Sequence, residues 1–160
     1  MHRIKQFFKG LIAYFSCYSD EIADKYLNMR EKEKFMELSR HERAHALNTA
    51  DIIEGFNLQR NREILIKAAL LHDIGKVGSS IGLIKKSILV LTDKFFPYLS
   101  HKLSLKTNMF NVYYNHPDLG AEILKTTGTD ERVILLVKYH HSEDNNIEGM
   151  KLLKKADSMN

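Results

Sequence analysis

The sequence predicts an all-α protein, a single compact helical domain of about eight helices, and three observations support this fold class. Apolar residues recur at helical spacing through most of the chain, whereas strict apolar–polar alternation over the length of a strand is hard to find. The prolines, Pro97 and Pro117, fall where segments would begin or end. The 160 residues, with 44% hydrophobic and 28% charged side chains, suit one globular domain with its own core.

The first helices are predicted from their opening residues. Acidic side chains begin the segment from Asp20 to about Leu38, which is rich in good helix formers. Ser39 and Glu42 form the Ser-x-x-Glu pattern of a capping box, in which each residue bonds to the backbone of the other. A second helix is therefore expected from this point to about Phe56.

The rest of the chain is also predicted to be helical. A strongly apolar helix covers 61–72 and is ended by Gly75 and Gly78. In the segment 79–115, the β-branched content of "GLIKKSILVLTDKFF" is compatible with a helix or a strand, and we favour a helix. The aromatic residues of this insertion could pack on the domain, or they could line or cover a pocket. The later helices are expected with Pro117 in a first turn, with Asp130 as an opening residue, and over 147–160.

The chain is expected to divide into N-terminal helices over 1–38, which pack on a domain formed by 39–160. The first 18 residues carry apolar side chains at the helical positions 4, 7, 8, 11, 12 and 15. Their apolar core, "GLIAYF", is short for a signal peptide and far short of a membrane span. We expect an amphipathic helix that packs on the domain, with docking on a membrane surface as the alternative, and no transmembrane segment.

Charge and cysteine content narrow the classes of partner. The net charge of +4 is spread along the chain, which suits an anionic ligand but is weak support for nucleic-acid binding. The chain has a single cysteine, Cys17, which excludes an intramolecular disulfide and a cysteine-based zinc site. A single cysteine also fits a reducing compartment such as the cytoplasm. We expect Cys17 to be a small core residue.

Histidines and aspartates recur at helix ends and on apolar faces, where an unpartnered imidazole or carboxylate would be costly to bury. His41 and His45 lie one turn apart on one face of a predicted helix. Helix bundles build metal sites from such side chains on facing helices. His2 and His101 are expected at the surface. The remaining candidates are His72, Asp73, His116, His140, His141 and Asp157.

Five sequence blocks carry a resemblance to a known family. In order, "HALNTADII", "AALLHDIGK", "HPDLGAEIL", "VKYHH" and "KKAD" resemble the blocks of HD-domain metal-dependent phosphohydrolases over about residues 39–160. The extra histidines resemble those of the two-metal group, which includes cyclic-dinucleotide phosphodiesterases and diadenosine-tetraphosphate hydrolases. The Gly-Tyr-Pro that follows the double histidine in the cyclic-di-GMP branch is absent, so cyclic-di-GMP is not the expected substrate.

The resemblance implies two divalent metal ions held between helices and bridged by Asp73. The remaining ligands of the first metal would be His45, His72 and Asp157. Those of the second would be His116, His140 and His141. Either His140 or His141 could instead contact phosphate or support a ligand, because neighbouring helical side chains point about 100° apart; His140 is the preferred ligand. His41 is kept as an additional candidate ligand.

The ligand chemistry suits iron or manganese, with zinc, nickel and magnesium left open. Two such cations would clamp a phosphate and generate hydroxide from a bridging water. Lys76 is expected to meet phosphate oxygens as a point charge, which makes Asp73 and Lys76 the catalytic candidates. Arg40 and Arg43 are weaker candidates for the same phosphate contact.

The predicted function is metal-dependent hydrolysis of a nucleotide or another small phosphate ester or diester by a metal-bridging hydroxide. One alternative is a metal-containing sensor or ligand-binding module of the same fold with little or no catalysis. A histidine-rich helical metal-storage or transport protein is a further alternative, but it leaves the order of the blocks unexplained. Specific nucleic-acid binding is not expected, and a homodimer is left open.

Overall fold

A computed structural model describes residues 20–58, 60–78, 91–96, 98, 107–143 and 146–160. All regular elements in these residues are helical, which confirms the predicted all-α fold. A short helical segment covers 91–95. The other elements, in chain order, are α1 (Glu21–Tyr26), α2 (Met29–Met36), α3 (Arg40–Glu54), α4 (Arg62–Leu71), a 3-10 turn (Ile74–Lys76), α5 (Asn108–Lys125), α6 (Glu131–Tyr139) and α7 (Met150–Met159).

Several predictions concern residues outside the described part of the chain. They are the N-terminal amphipathic helix, the surface positions of His2 and His101, the core position of Cys17, the role of Pro97 and most of the insertion after Gly78. Among the described residues, none of the helices is both long enough and apolar enough to cross a membrane.

Helix α4 is the centre of the fold. Its sequence is apolar on nearly every face, and a helix of this kind is stable only when other elements surround it. Helices α1, α2, α3, α6 and α7 all pack on α4. Leu65, Ile66, Leu70 and Leu71 are almost wholly buried there and join one continuous hydrophobic core. Because α4 ends in this core, the residues that follow it, His72 and Asp73, are held at a fixed position.

The segment 20–38 is two helices, so the prediction of one continuous helix was wrong. Leu27 adopts an extended conformation and is buried, which interrupts the first helix. Asn28 then begins α2: its side chain accepts a hydrogen bond from the Glu31 amide, and its own amide donates to the Glu31 carboxylate at 2.8 Å. Ala23 and Phe35 are fully buried in the shared core. The division of domains between residues 38 and 39 stays a prediction.

The position of Pro117 was also predicted wrongly. Pro117 lies inside α5, which begins two turns earlier, at Asn108. Residues 108–115 therefore belong to this helix, which agrees with the helical interpretation of that segment. Phe110 and Val112 are buried, and their packing holds the helix on the N-terminal side of the proline. Tertiary packing can outweigh the cost of a proline in a helix interior.

The predicted openings of α3 and α6 are confirmed. Ser39 and Glu42 form the capping box of α3, and the Asp130 side chain accepts a hydrogen bond from the Arg132 amide at the start of α6. The last helix begins at Met150 instead of 147, because Gly149 takes a left-handed conformation with φ of 88°. A Cβ atom at Gly149 would lie 2.6 Å from Leu65, so this turn also lets the chain pass close to α4.

Candidate metal centre

The predicted histidines and aspartates meet where the C-terminal end of α4 approaches α3, α5, α6 and α7. The first group is His45 from α3, His72 from the end of α4 and Asp157 from α7. One ligand atom from each lies within 4.8 Å of the others. His45 Nε2 is 2.9 Å from Asp157 Oδ1, and His72 Nε2 is 3.8 Å from the same oxygen. This grouping provides two imidazoles and one carboxylate to a cation.

The second group is His116 from α5 together with His140 and His141, which follow α6. Their candidate ligand atoms also lie within 4.8 Å of one another. His141 Nε2 is 3.2 Å from His116 Nε2, and the rings of His140 and His141 have centroids 4.0 Å apart. The adjacent histidines therefore face the same space, although consecutive residues of a continuing helix would diverge. Helix α6 ends at Tyr139, which permits this arrangement.

Asp73 lies between the two groups and faces each with a different oxygen. Its Oδ2 is 3.6 Å from His72 Nε2, and its Oδ1 is 3.4 Å from His116 Nε2. Asp73 is also 4% exposed, so its carboxylate is held in the protein interior and not in solvent. A carboxylate in this position can donate one oxygen to each of two neighbouring cations.

Three of the histidines are oriented by one kind of backbone contact. The Nδ1 atoms of His72, His116 and His140 each lie close to the carbonyl oxygen three residues earlier, at 2.8, 3.1 and 2.6 Å. A carbonyl oxygen only accepts, so each Nδ1 carries the ring proton and each neutral ring keeps a lone pair on Nε2. Such contacts fix the tautomer and direction of metal-binding histidines.

One ring nitrogen of His140, Nε2, is buried without a hydrogen-bond partner within the described structure. A buried polar atom without a partner is costly, and it calls for an explanation such as an ion or a water. Because Nδ1 of His140 already donates to Val137, the free Nε2 lone pair suits a cation. The nitrogen and oxygen donors of the whole cluster fit iron, manganese or zinc.

A family model described as HD domain matches residues 43–159, which is most of the chain. The chain belongs to the HD-domain family. This membership confirms the resemblance of the five sequence blocks and places the chain in a superfamily of metal-dependent phosphohydrolases. The comparisons with curated proteins and with solved structures give no match.

The electrostatics of this HD domain favour metal-binding protonation states. Burial lowers the pKa of His116 to about 4 and that of His140 to about 2. Burial also raises the pKa of the Asp73 carboxyl, but Lys76 and the nearby histidines lower it further, to well below its usual value. At neutral pH the buried imidazoles are therefore neutral and Asp73 is ionised. These are the forms that coordinate a cation.

A close backbone contact brings Asp73 to His116. The 3-10 turn after Asp73 packs on α5, and a Cβ atom at Gly75 would lie 2.0 Å from the His116 carbonyl oxygen. It would also lie 2.6 Å from the Gly120 amide nitrogen. Glycine is therefore required at position 75 for this approach of two backbones. The two elements in contact carry Asp73 and His116, whose side chains approach to 3.4 Å.

Asn160 links α7 to α3 beside the first group, a role that was not predicted from the sequence. Its side-chain amide donates to the His45 carbonyl at 2.6 Å and lies 3.0 Å from Thr49 Oγ1. Its amide oxygen accepts from Asn48 at 3.2 Å. These bonds hold Asp157 close to His45. Asparagine is common at helix ends, so the sequence alone contains no signal that distinguishes this contact.

Lys76 and Glu42 are two further charged residues near Asp73. Lys76 Nζ is 2.6 Å from Asp73 Oδ1 and is mostly buried. Glu42, predicted only as a capping residue, is buried in the same region, where burial raises its pKa and the charges of Lys76 and Asp73 act on it. A capping pattern beside a histidine-rich helix could have drawn attention to Glu42.

The other predicted residues lie on α3. His41 is half-buried one turn before His45, and its role as an additional ligand stays a prediction. The Arg43 guanidinium contacts Met36 Sδ at 3.3 Å, on the side of α2, and Arg40 is exposed. A phosphate contact by Arg40 or Arg43 likewise stays a prediction.

Proposed function

We propose that this HD domain hydrolyses a nucleotide or another small phosphate ester or diester with the help of two divalent metal ions. The observation that carries the proposal is the place of Asp73, which has one oxygen toward each of two three-residue groups of metal-binding side chains. We expect the protein to act in the cytoplasm on a small phosphorylated molecule, and a homodimer stays a prediction.

The proposed ligands follow from the two groups. One cation would be held by His45, His72 and Asp157. The other would be held by His116, His140 and His141, and Asp73 would contribute to both sites. Iron and manganese are the preferred metals, with zinc, nickel and magnesium left open. When bound, such cations hold phosphate oxygens and lower the pKa of water, which supplies a nucleophile at neutral pH.

The exposure of the site residues supports one direction of substrate entry. His72, Asp73 and His140 are buried, whereas His141 is exposed and the side chains of His45 and Asp157 are about one-third exposed. A phosphate group would therefore approach from the side of His141, His45 and Asp157. The buried residues would lie beneath it and exclude water from the far side of the cluster.

Lys76 is proposed to contact the substrate phosphate. Its ammonium group lies 2.6 Å from Asp73 Oδ1, so its positive charge is next to the proposed bridging carboxylate. A positive charge held close to the metal-bridging carboxylate can stabilise negative charge that develops on a transferring phosphoryl group. Its 16% side-chain exposure gives it access to a bound phosphate.

The first test is Asp73→Asn, with Asp118→Asn as its control. The substitution removes a negative charge shared by both groups, so the affinity of both metals should fall by at least about 100-fold, the upper range for loss of a supporting residue. Hydrolysis of a panel of nucleotides, dinucleotides and phosphomonoesters should fall with it. Asp118 lies on α5 but is largely exposed, and its variant should keep both metals and activity. Full metal occupancy in Asp73→Asn by elemental analysis would refute the ligand assignment.

The second variant in this test is Lys76→Ala, matched by Lys125→Ala. Both lysines pair with a carboxylate three residues earlier, but only Lys76 lies in the cluster. Lys76→Ala should retain its metals and lose roughly 100-fold in kcat, as expected for one donor to developing charge. Lys125→Ala should behave like the wild type. Loss of metal from Lys76→Ala would show a structural role for Lys76.

The same assays separate catalysis from binding alone. If the metal-loaded protein binds phosphorylated ligands through Asp73 but turns over none of the panel, the sensor or binding-module function replaces the proposed hydrolase. If the protein exchanges metals but neither binds nor hydrolyses any phosphate compound, both proposals fail.

A further inference from the structure

A proline follows His116 directly in the interior of α5. Proline has no amide proton, so it cannot bind the carbonyl oxygen four residues earlier, and it destabilises a helix interior. For Pro117 that carbonyl belongs to Tyr113. Helix α5 nevertheless runs through the proline, and Pro117 is itself buried. The chain therefore keeps a locally unfavourable residue next to a candidate metal ligand.

The carbonyl that Pro117 cannot bind is used by His116 instead. Its Nδ1 lies 3.1 Å from the Tyr113 oxygen, and because the carbonyl only accepts, Nδ1 is the donor.

His72 and His140 make the same contact, but with carbonyl groups at the ends of helices. Their carbonyl partners, on Ala69 and Val137, lie in the last turns of α4 and α6, where helical carbonyls lack amide partners. The Tyr113 carbonyl that His116 contacts lies within α5, so a backbone amide one turn later would normally donate to it. All three histidines thus make the same Nδ1–carbonyl contact, two of them at helix ends and one directly before a proline.

We propose that Pro117 is a positioning residue for His116: by withholding an amide proton, it reserves the Tyr113 carbonyl for Nδ1–H of His116. This leaves the Nε2 lone pair of His116 directed at the second group, 3.4 Å from Asp73 Oδ1 and 3.2 Å from His141 Nε2. The inference rests on the proposed function, because it assumes that Nε2 of His116 binds the second cation.

The test uses Pro117→Ala and Pro117→Val, which restore the amide with a smaller and a similar side chain. The new amide would compete with His116 for the Tyr113 carbonyl. The helix should keep or gain stability, so the Tm of the metal-free protein should be unchanged or higher. The Kd of the second metal in a calorimetric titration with Mn²⁺ should nevertheless rise about 10- to 100-fold, the usual effect of losing a supporting contact. A merely structural proline would lower Tm without this selective loss.

Nitrogen NMR of the metal-free protein reads the proton position directly. The wild-type His116 ring should carry its proton on Nδ1, and both proline variants should show a larger share of the Nε2–H form. His72 and His140 are internal controls, because their carbonyl partners do not depend on Pro117, and their rings should not change. If wild-type His116 carries its proton on Nε2, the inference is overturned even when neither variant folds.

His116→Ala separates this inference from the proposed function. If His116→Ala weakens the second Mn²⁺ site and the proline variants also do so, the inference is supported. If His116→Ala weakens that site but both proline variants bind Mn²⁺ like the wild type with an unchanged tautomer, the ligand assignment stands and the inference is overturned. If His116→Ala leaves both Mn²⁺ sites unchanged, the ligand assignment fails and the inference fails with it.

Discussion

Individual histidines in this protein owe their orientation to the backbone atoms beside them. His72 and His140 follow the ends of helices, where carbonyl oxygens are free to accept their Nδ1 protons. The positions of these histidines at helix ends were predicted from the sequence. The unpartnered Nε2 of buried His140 was not predictable, because it depends on which residues surround the ring after folding.

Glycine at position 75 is predicted to be essential for the close packing of the 3-10 turn on α5. Gly75→Ala would place a Cβ atom 2.0 Å from the His116 carbonyl oxygen, so the 3-10 turn and α5 must separate. The free energy of unfolding should fall by about 3 kcal/mol or more, the upper range for overpacking. The affinity of the metals that Asp73 shares should fall as well. Urea denaturation and metal titration would measure the two effects.

Gly55→Ala is the matched control for this prediction. Gly55 has a right-handed helical conformation, and an added Cβ atom would have no neighbour closer than 3.5 Å. The free energy of unfolding of the Gly55→Ala variant should stay within about 1 kcal/mol of the wild-type value or increase, since alanine restricts the unfolded chain. Equal effects of the two substitutions would contradict the close contact at Gly75.

Helices α3 and α7 show how elements distant in the sequence form one site. His45 and Asp157 become neighbours because α7 packs on α3 and α4, and Asn160 joins the end of α7 to the His45 carbonyl. The existence of both helices was predicted from periodicity and capping. Their mutual position was not, since helical periodicity indicates an apolar face but not its partner.

Asn160→Ala tests this contact between elements. Its side-chain bonds to α3 would be lost, and the free energy of unfolding should fall by about 1–2 kcal/mol. The affinity of the metal bound by His45, His72 and Asp157 should fall more than that of the second metal, because α7 carries Asp157, a proposed ligand of the first group. Calorimetric titration with Mn²⁺ would resolve the two sites.

Ser158→Ala provides the control for Asn160. Ser158 is exposed on α7, and its hydroxyl donates to the Lys155 carbonyl within the same helix. This variant should keep both metal affinities. A uniform loss at both sites in Asn160→Ala would indicate general destabilisation and not selective positioning.

Two helix boundaries also differ from their sequence-based predictions, for opposite reasons. The break before α2 has a local signal, Asn28 followed by Glu31 in a capping box, and it could have been predicted. The passage of α5 through Pro117 has no such signal. It is stabilised by tertiary packing of residues such as Phe110, which a local pattern cannot indicate.

The stability of the whole metal-free molecule should decrease in acid. The pKa of His116 is lowered to about 4 and that of His140 to about 2, both by burial, so the folded state binds fewer protons than the unfolded state below about pH 6.5. The contribution of these histidines to the free energy of unfolding should therefore be fully present above about pH 6.5, and it should decrease as the pH drops toward 4. The lowered pKa of Asp73 adds a further loss in stronger acid.

Urea denaturation of the chelator-treated protein between pH 8 and pH 4 would measure this dependence. For His116 alone, full protonation corresponds to a loss of roughly 3 kcal/mol. His116→Gln, which cannot titrate, should show a shallower decline than the wild type. A free energy of unfolding that stays constant from pH 7 to pH 5 would contradict the buried, neutral state of these histidines.

The sequence by itself determined the all-α fold class, the order of the helices that carry the histidines and the membership of a metal-dependent superfamily. These properties follow from local periodicity, capping residues and the order of short blocks, all of which are readable along the chain. The tertiary structure decided which Nε2 atoms face one another, that Asp73 turns a different oxygen to each group, and that Gly75 and Asn160 contact the residues beside them. The physical reason is that distances between residues as far apart as His45 and Asp157 depend on packing, which local sequence patterns do not encode.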